Sequence, residues 1–529
     1  MEILSLSSKG FTSVGEFNSV KADTLSHQTV TMEEDRIAKS YAGRSLFITG
    51  GTGFLGKVLV EKLLRCCPEI KKIYLLVRNK KGKDPQIRIK EMFDNVLFDT
   101  VKKQRGAESI LNVCEALCGD VTIPDLGMSE DDKQIIRDNV SVIYHCAATI
   151  RFDEELKKAV FLNVRGTKLI LQLAKECKRL ELFTYVSTAY CHLHIKHLVE
   201  QPYAPPADPH KVIAAMEWMS DDVVASIQKK VLGDIPNTYA YTKSLAEALV
   251  VETFDSLPSV ILRPSIVIPI WKTPLPGWTD NINGPTGLLI GAGKGVIRTM
   301  YCNSSGYGDY LPVDIAVNAM LCVTWQFLTT KNFDIRVRHL TSSNEIKVSW
   351  QEVIELGRWV IENRLPLNGV VWYPGGSMKS NRFVHYVCTI LYHWIPAMLI
   401  DTLLWCLRYP PVLCRVHRRI QKGFEVFEYY ANNQWDFDNS SVLELRRMMN
   451  DTERHKYIIE KIDVDLVEYF EACTLCARRY ILNEPDDTIP QARKHMKVMY
   501  CVDRVVKTVF LGILLYYLGC FLYRMFFNN

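Results

Sequence analysis

Short apolar runs alternate with longer stretches of helical spacing through the first half of the chain. Leu46–Ile48, Ile73–Val77, Val142–Tyr144 and Leu182–Val186 are apolar without polar alternation, as expected of parallel strands covered on both faces. After the first run, Phe54, Leu55, Val58, Leu59, Leu63 and Leu64 recur at three- and four-residue intervals and predict an amphipathic helix. Residues 84–112 read as a helix with a loop. Val113–Val121, Ser141–Ala148 and Leu182–Thr188 read as the third, fourth and fifth strands. Strands alternating with helices predict an α/β fold with a doubly wound parallel sheet of Rossmann type, whose ligands bind at the strand C-terminal ends.

From about residue 345 the pattern turns helical, with Trp350, Val353, Ile354, Leu356 and Trp359 on one face and further amphipathic helices over 420–482. Two stretches depart from the soluble pattern. Val384–Leu407 is long and apolar but holds His385, His393, Pro396 and Asp401, and Arg408, Arg415, Arg418 and Arg419 follow it. A central proline and aspartate disfavour a single span, so this stretch predicts a membrane-surface or re-entrant hairpin, with a buried helix pair as the alternative. Thr508–Tyr523 has no charge, is apolar all round, and is framed by Lys507 and Arg524. It predicts a transmembrane helix over 505–527, slightly short for a hydrocarbon core of ~30 Å, with framing side chains able to snorkel. Arg493, Lys494, Lys497 and Arg504 precede it and only Arg524 follows, which places the large domain in the cytosol of a tail-anchored chain. The endoplasmic reticulum is the first expectation and the peroxisome the second.

Between the first strand and the first helix lies Thr49-Gly50-Gly51-Thr52-Gly53-Phe54-Leu55-Gly56. Strand, glycine cluster and helix in that order predict a dinucleotide-binding turn. Gly50 allows the tight turn, Gly53 lets backbone N–H groups reach a pyrophosphate, and Gly56 lets helix and strand pack closely. Gly51, Gly56 and Lys57 nearly complete a triphosphate-binding loop, but Val58 stands where a magnesium-binding hydroxyl is needed. The second strand ends in Arg78, with Lys80, Lys81 and Lys83 beyond it. An acidic residue near this place serves NAD, whereas a basic one suits a 2′-phosphate, so NADPH is expected; a solvated basic loop is the alternative. Asp120 and Val121, at the end of the third strand, are placed at the adenine, and the small Ala147 and Ala148 let a cofactor lie against the backbone.

Composition narrows the picture without redirecting it. The 529 residues predict two or three units, and a net charge of +5 without a long basic run in the first half argues against nucleic acid. Sixteen irregularly spaced cysteines and no signal peptide point to a reducing compartment. Cys473 and Cys476 form a lone CxxC read as helix packing, and His192, His194 and His197 are read as a polar loop, so no metal is expected.

Asn237–Ser244 begins a helix on which Tyr239 and Lys243 stand four apart on one face. A tyrosine near its reference pKa of ~10 is a slow proton donor at neutral pH; an ammonium one turn away, together with the positive charge of a bound nicotinamide, is expected to lower that value. Lys243 can also hold a nicotinamide ribose. The fifth strand ends in Ser187 and Thr188, either of which can bond a carbonyl oxygen as charge grows on it.

The glycine turn, the Gly-Asp-Val strand end and the Tyr/Lys pair resemble the extended short-chain dehydrogenase/reductase superfamily. Phe152–Leu156, Asn163–Thr167, Tyr185–Cys191, Pro236–Tyr239, Arg263–Val267, Pro276–Trp278, Asn283–Gly287, Gly291–Gly295 and Pro312–Asp314 with Asn318 resemble, more closely, the animal branch of the fatty acyl-CoA reductase family, over residues 40 to 500. The resemblance implies an alcohol-forming enzyme. It would reduce a long-chain acyl-CoA with NADPH in two hydride transfers through an aldehyde, releasing coenzyme A. Tyr239, Lys243 and Thr188 or Ser187 would be catalytic, and Pro264 and Ser265 would join the cofactor set. Lys294 and Arg298 are candidates for coenzyme A phosphates or, equally, plain surface charges. The alternatives are a membrane-bound hydroxysteroid dehydrogenase-like reductase, an aldehyde-forming acyl-CoA reductase and a non-catalytic NADPH-binding scaffold. The implied organisation is a mobile polar arm over 1–38, an NADPH-binding reductase domain over 39–343, a helical domain over 344–500 and the anchor over 505–527. Membrane lipid is an expected partner, and a homo-oligomer is left open.

Overall fold

The four apolar runs become the centre of a seven-stranded sheet in a computed structural model that describes residues 33–79, 82–282, 284–343, 345–460 and 464–527. The strands are β1 (Ser45–Thr49), β2 (Lys72–Val77), β3 (Cys114–Cys118), β4 (Val140–His145), β5 (Leu182–Val186), β6 (Ser259–Pro264) and β7 (Val337–Leu340). They run in the order β7-β6-β5-β4-β1-β2-β3, every pairing parallel. The order reverses between β1 and β4, and a crevice opens there at the strand ends. β6 and β7 escape a reading based on apolar runs because Arg263, Arg338 and His339 interrupt them; all three side chains are buried.

The helices that matter for the site are α1 (Phe54–Cys66), α2 (Pro85–Phe93), α3 (Thr238–Val251), α4 (Pro285–Gly293), α5 (Val313–Thr330), α6 (Trp350–Asn363), α7 (Leu413–Ala431) and α8 (Ile489–Phe527). The segment read as one helix and a loop holds α2, a 3-10 turn at Val96–Phe98 and two short helices, Asp99–Arg105 and Ala107–Val113. Residues 1–32 of the expected arm lie outside the described residues. Its end is structured: Arg36–Ser40 is a helix, Ile37 is buried, and Arg36 pairs with Glu453 at 2.7 Å.

Among the described residues, three helices are long and apolar enough to cross a bilayer: α5, Arg382–Cys406, and the helix reaching Phe526. α5 is a core helix, buried almost throughout. Arg382–Cys406 turns back through residues 407–412 into α7, forming a helical hairpin with many exposed apolar side chains. Phe383 is 74%, Leu399 66% and Trp405 71% exposed. The aspartate inside it has a local purpose: the Asp401 carboxylate accepts from the backbone N–H groups of Val412, Leu413 and Cys414 at 2.8–3.0 Å, capping α7. α8 is docked through buried Ala492, Met496 and Asp503, and the described side chains of residues 504–526 are then exposed apart from Cys520.

One buried carboxylate fixes a loop beside the crevice. Asp314, in the first turn of α5, accepts from the N–H groups of Trp271 and Lys272 at 2.9 Å and Thr273 at 3.3 Å. Further along that helix Asn318 Nδ2 donates to Ile458 O at 2.8 Å, tying the C-terminal region to the sheet. Asp314→Ala leaves those donors without their acceptor. It is expected to lower the unfolding free energy by about 3 kcal/mol, measured by denaturant titration of detergent-solubilised protein.

Candidate functional site

A cavity of about 650 Å³ occupies the crevice at the C-terminal ends of the strands. Of the residues expected at a cofactor or at the chemistry, Gly50, Gly53, Phe54, Leu55, Gly56, Arg78, Asp120, Val121, Ala147, Ala148, Ser187, Thr188, Tyr239, Lys243, Pro264 and Ser265 all line it. Thr49 does not. Its hydroxyl is buried, bonded to His145 Nδ1 at 2.6 Å, and accepts from Ala147 N at 3.2 Å, so it braces the ends of β1 and β4 from behind.

The glycine turn is as tight as its spacing suggests. Gly50 has a φ of +72°, and a Cβ there would lie 2.8 Å from the backbone of Cys146 and Ala147. A Cβ on Gly56 would lie 2.3 Å from Gly50 O and 2.7 Å from Gly51 Cα. Lys57, which gave the turn its likeness to a triphosphate loop, is paired with Asp280 at 2.8 Å. Arg78 is joined by a residue the sequence did not single out, Arg88 of α2. It lines the same cavity and donates to Arg78 O at 2.5 Å. Burial and the neighbouring Arg78 charge lower the pKa of Arg88. Lys83 pairs with Glu91 at 2.5 Å, and Lys80 and Lys81 lie outside the described residues. Asp120 Oδ1 accepts from Thr122 N at 2.9 Å and Thr122 Oγ1 at 2.8 Å, which fixes its carboxylate at the rim.

The chemical groups meet where β5 ends and α3 begins. Asn237 caps α3, accepting from Ala240 N at 2.9 Å, and so sets the pitch of Tyr239 and Lys243. The Thr188 hydroxyl stands by the Tyr239 phenol and favours its phenolate. Ser187 Oγ instead faces Cys191 Sγ at 4.0 Å. Lys243 Nζ donates to Val186 O at 2.6 Å and Tyr185 Oη at 3.2 Å. Burial brings its pKa down to about 8, against the attraction of Glu247. The depressed tyrosine is not found. Burial raises Tyr239 above its ordinary value and outweighs the effect of Thr188, and the Lys243 hydrogen bonds run to Val186 and Tyr185.

Behind this set is a buried charge cluster that no motif or spacing foretells. Glu247, one turn after Lys243, accepts from Arg263 Nε at 2.9 Å and Nη2 at 2.7 Å. It also meets His192 Nε2 at 3.2 Å and Cys191 Sγ at 3.3 Å. Burial alone would raise Glu247, but Arg263 and His192 hold it far below the carboxylate range. Against its own burial, His192 is raised to about 10 by Cys191 and Glu247. His192 therefore does not belong to a polar loop. Cys191, His192 and Glu247 offer ligand atoms within 4.8 Å of one another, yet Glu247 already has a guanidinium across both oxygens, so Arg263 supplies the positive charge here.

The helical half contributes a wall. Phe152 packs edge-on against Tyr239 at 5.3 Å and stacks on Tyr430 at 5.5 Å; Tyr430 Oη accepts from Asn237 Nδ2 at 2.9 Å. Phe427 and Tyr430 of α7 both line the cavity. Lys294 and Arg298, considered for coenzyme A, are engaged internally: Lys294 with Glu484 at 2.6 Å, Arg298 with Asp503 at 3.6 Å. Cys473 and Cys476 lie on the helix Leu466–Cys476, and Cys476 Sγ donates to Pro276 O at 3.1 Å, a packing contact.

Residues 48–320 and 392–484 match two family models, each described as male sterility protein. The chain is 39% identical over 462 residues to fatty acyl-CoA reductase 1 of Rattus norvegicus, covering 87% of this chain and 89% of that one. It is equally similar to the Homo sapiens protein of that name. It is 34% identical over 463 residues to fatty acyl-CoA reductase 2 of Bos taurus, with 87% and 89% covered. Among solved structures it resembles the terminal reductase domain of the myxalamid pathway, with a TM-score of 0.56, 19% identity and coverage of 84% of this chain and 93% of that one. It also resembles the reductase domain of a non-ribosomal peptide synthetase from Mycobacterium tuberculosis, with a TM-score of 0.55, 18% identity and coverage of 85% and 97%. At those identities the likeness establishes the fold. Gly56→Ala places a methyl group against backbone that has no room to yield, and is expected to weaken nicotinamide dinucleotide binding about tenfold or more, read by fluorescence titration.

Proposed function

The chain belongs to the fatty acyl-CoA reductase family, and on that premise we propose that it reduces a long-chain acyl-CoA to the primary alcohol with NADPH, releasing coenzyme A. The observation that carries the reading is the Thr188–Tyr239 hydroxyl pair beside Lys243, opposite the glycine turn in one cavity.

The cavity suits a nicotinamide dinucleotide. The turn offers backbone where side chains would clash, and Ser265 Oγ is buried on the cavity wall without a hydrogen-bond partner among the described residues. Arg78 and Arg88, which both line the cavity, suit a 2′-phosphate and favour NADPH over NADH. When bound, NADPH supplies the hydrides, one for each reduction.

Thr188 and Tyr239 hold the thioester carbonyl oxygen as it becomes an oxyanion, and Tyr239 is the proton donor. The tetrahedral thiohemiacetal loses coenzyme A as the thiol and leaves an aldehyde. The same two hydroxyls then take the aldehyde oxygen, and Tyr239 again gives the proton. Its high pKa in the buried site keeps it protonated until the oxyanion needs it. Lys243, fixed on Val186 O and Tyr185 Oη, carries positive charge toward the hydroxyl pair and the nicotinamide ribose. The turn of Ser187 Oγ toward Cys191 Sγ supports Thr188 over Ser187 as the hydroxyl that works with Tyr239. The wall of Phe152 and Tyr430 keeps water from the reacting carbon.

We place the reductase domain on the cytosolic side of a membrane, with α8 spanning it and the basic residues Arg493, Lys494, Lys497 and Arg504 on that side. The endoplasmic reticulum is the first candidate membrane and the peroxisome the second.

Incubation in lipid vesicles with NADPH and palmitoyl-CoA is expected to consume two NADPH per coenzyme A released and to yield hexadecanol by gas chromatography. Tyr239→Phe should lower the rate about a hundredfold or more, and Thr188→Ala much more than Ser187→Ala. No turnover of any acyl-CoA by the native chain, or an aldehyde as the only product, would overturn the corresponding part of the proposal. The pH profile is a second check. The Lys243 ammonium is half titrated at about pH 8 and is lost as the pH rises further, so kcat/KM should fall on the alkaline side of about 8. Glu247 favours that ammonium, so Glu247→Gln should move the alkaline limb to lower pH; an unmoved limb would remove Lys243 as its cause.

A further inference from the structure

A second, smaller cavity of about 80 Å³ lies beside the catalytic one, and Pro285, the first residue of α4, lines both. α4 and α6 form its walls through Leu288, Ala292, Ile354 and Ile361, and a two-stranded ribbon, Thr299–Tyr301 with Ser377–Lys379, closes it with Met300 and Met378. The helices approach closely because both are small at the contact. A Cβ on Gly293 would fall 2.4 Å from Ile361 Cδ1, and one on Gly357 would fall 2.3 Å from Leu289 Cδ1. The lining is almost all carbon, so the space suits an apolar chain and no polar ligand.

Pro374, Gly375 and Gly376 also line it, in a loop that begins two residues after Trp372. Trp372 Nε1 donates to Asp503 Oδ1 of α8 at 2.7 Å. Arg298, also a lining residue, pairs with Asp503 at 3.6 Å, lies 5.7 Å over the Tyr392 ring of the hairpin, and gives its backbone N–H to His393 Nε2 at 2.9 Å. Hairpin, loop and α8 thus meet at one arginine, and beyond Asp503 the side chains of α8 are exposed. Pro285 thus joins this carbon-walled space to the cavity that holds Thr188 and Tyr239, and Arg298 joins it to the hairpin and α8.

Resting on the proposed acyl-CoA reduction, we infer that this second cavity receives the distal end of the acyl chain, that α4 and α6 gauge its length, and that the 374–376 loop is its opening toward the bilayer. The thioester then lies at Thr188 and Tyr239 while the methyl end passes Pro285 and lies between Leu288 and Ile354.

The test uses the full chain in phosphatidylcholine vesicles. Leu288→Trp fills the cavity and should lower the ratio of kcat/KM for palmitoyl-CoA to that for octanoyl-CoA by about tenfold or more, while Ile354→Ala should raise the preference for longer chains. NADPH affinity and unfolding temperature report whether each variant is folded. In folded variants, a ratio within about twofold of the native value in both would overturn the inference. A palmitoyl-CoA carrying a photoreactive diazirine at the methyl end tests the same assignment without turnover. Cross-links to peptides of 285–300 or 350–361 support it, and cross-links confined to other segments overturn it. If the native chain reduces no acyl-CoA but is labelled on those peptides, the proposed chemistry fails and the chain-binding site stands.

Discussion

Glu247 is a carboxylate withdrawn from water, and the groups that make this tolerable also build the site. Its negative charge is neutralised by Arg263 from β6, so helix α3 is locked to the sheet by a two-pronged ion pair. The same carboxylate receives Cys191 and His192, and Cys191 in turn donates to Thr188 O at 3.1 Å. The turn that presents the Thr188 hydroxyl and the helix that presents Tyr239 and Lys243 are therefore referred to one charge. Taking one partner from a buried pair costs about 3–5 kcal/mol, because the other is left buried and unpaired. That dependence makes the geometry in front of Glu247 stiff, which suits a site whose hydroxyls must already point at a developing oxyanion.

The cluster extends to the C-terminal region. Arg263 Nη1 meets His339 Nε2 at 3.1 Å, and His339 Nδ1 bonds the backbone oxygen of Asp438 at 2.7 Å. Asp436–Phe437 pairs with His197–Leu198 as a short parallel ribbon, and Tyr430 stands against Phe152. The helical half is thus a wall of the cavity, whose lining crosses residue 343 through Phe427 and Tyr430.

The glycine turn, the central strands and the Tyr239–Lys243 pair were legible because each depends on local rules: a period, a spacing, a backbone too crowded for a side chain. The strands β6 and β7 were not legible, because Arg263, Arg338 and His339 look like surface residues until their partners, distant in sequence, are known. Arg88 was hidden for the same reason; only the fold brings α2 to the end of β2. Tyr239 shows the limit of pair logic. Four-residue spacing promised a lysine acting on the phenol, whereas the folded chain sends that ammonium to Val186 O and Tyr185 Oη and lets burial govern the tyrosine. His192, grouped by proximity in sequence with His194 and His197, is separated from them by a carboxylate more than fifty residues away. Asp401 had counted against a membrane span, and its role as a cap for α7 becomes evident only once the hairpin turns.

α8 is unbroken from Ile489 to Phe527, docked over its first turns and exposed thereafter. No slack linker separates the globular part from the apolar rod, so the rod is a mast and not a tether. A mast transmits tilt. Any change in how the rod inclines in its surroundings turns the whole body with it, and the apolar hairpin beside its foot swings toward or away from the same plane. In the proposed membrane, lipid packing and thickness thereby acquire a lever on the orientation of the domain.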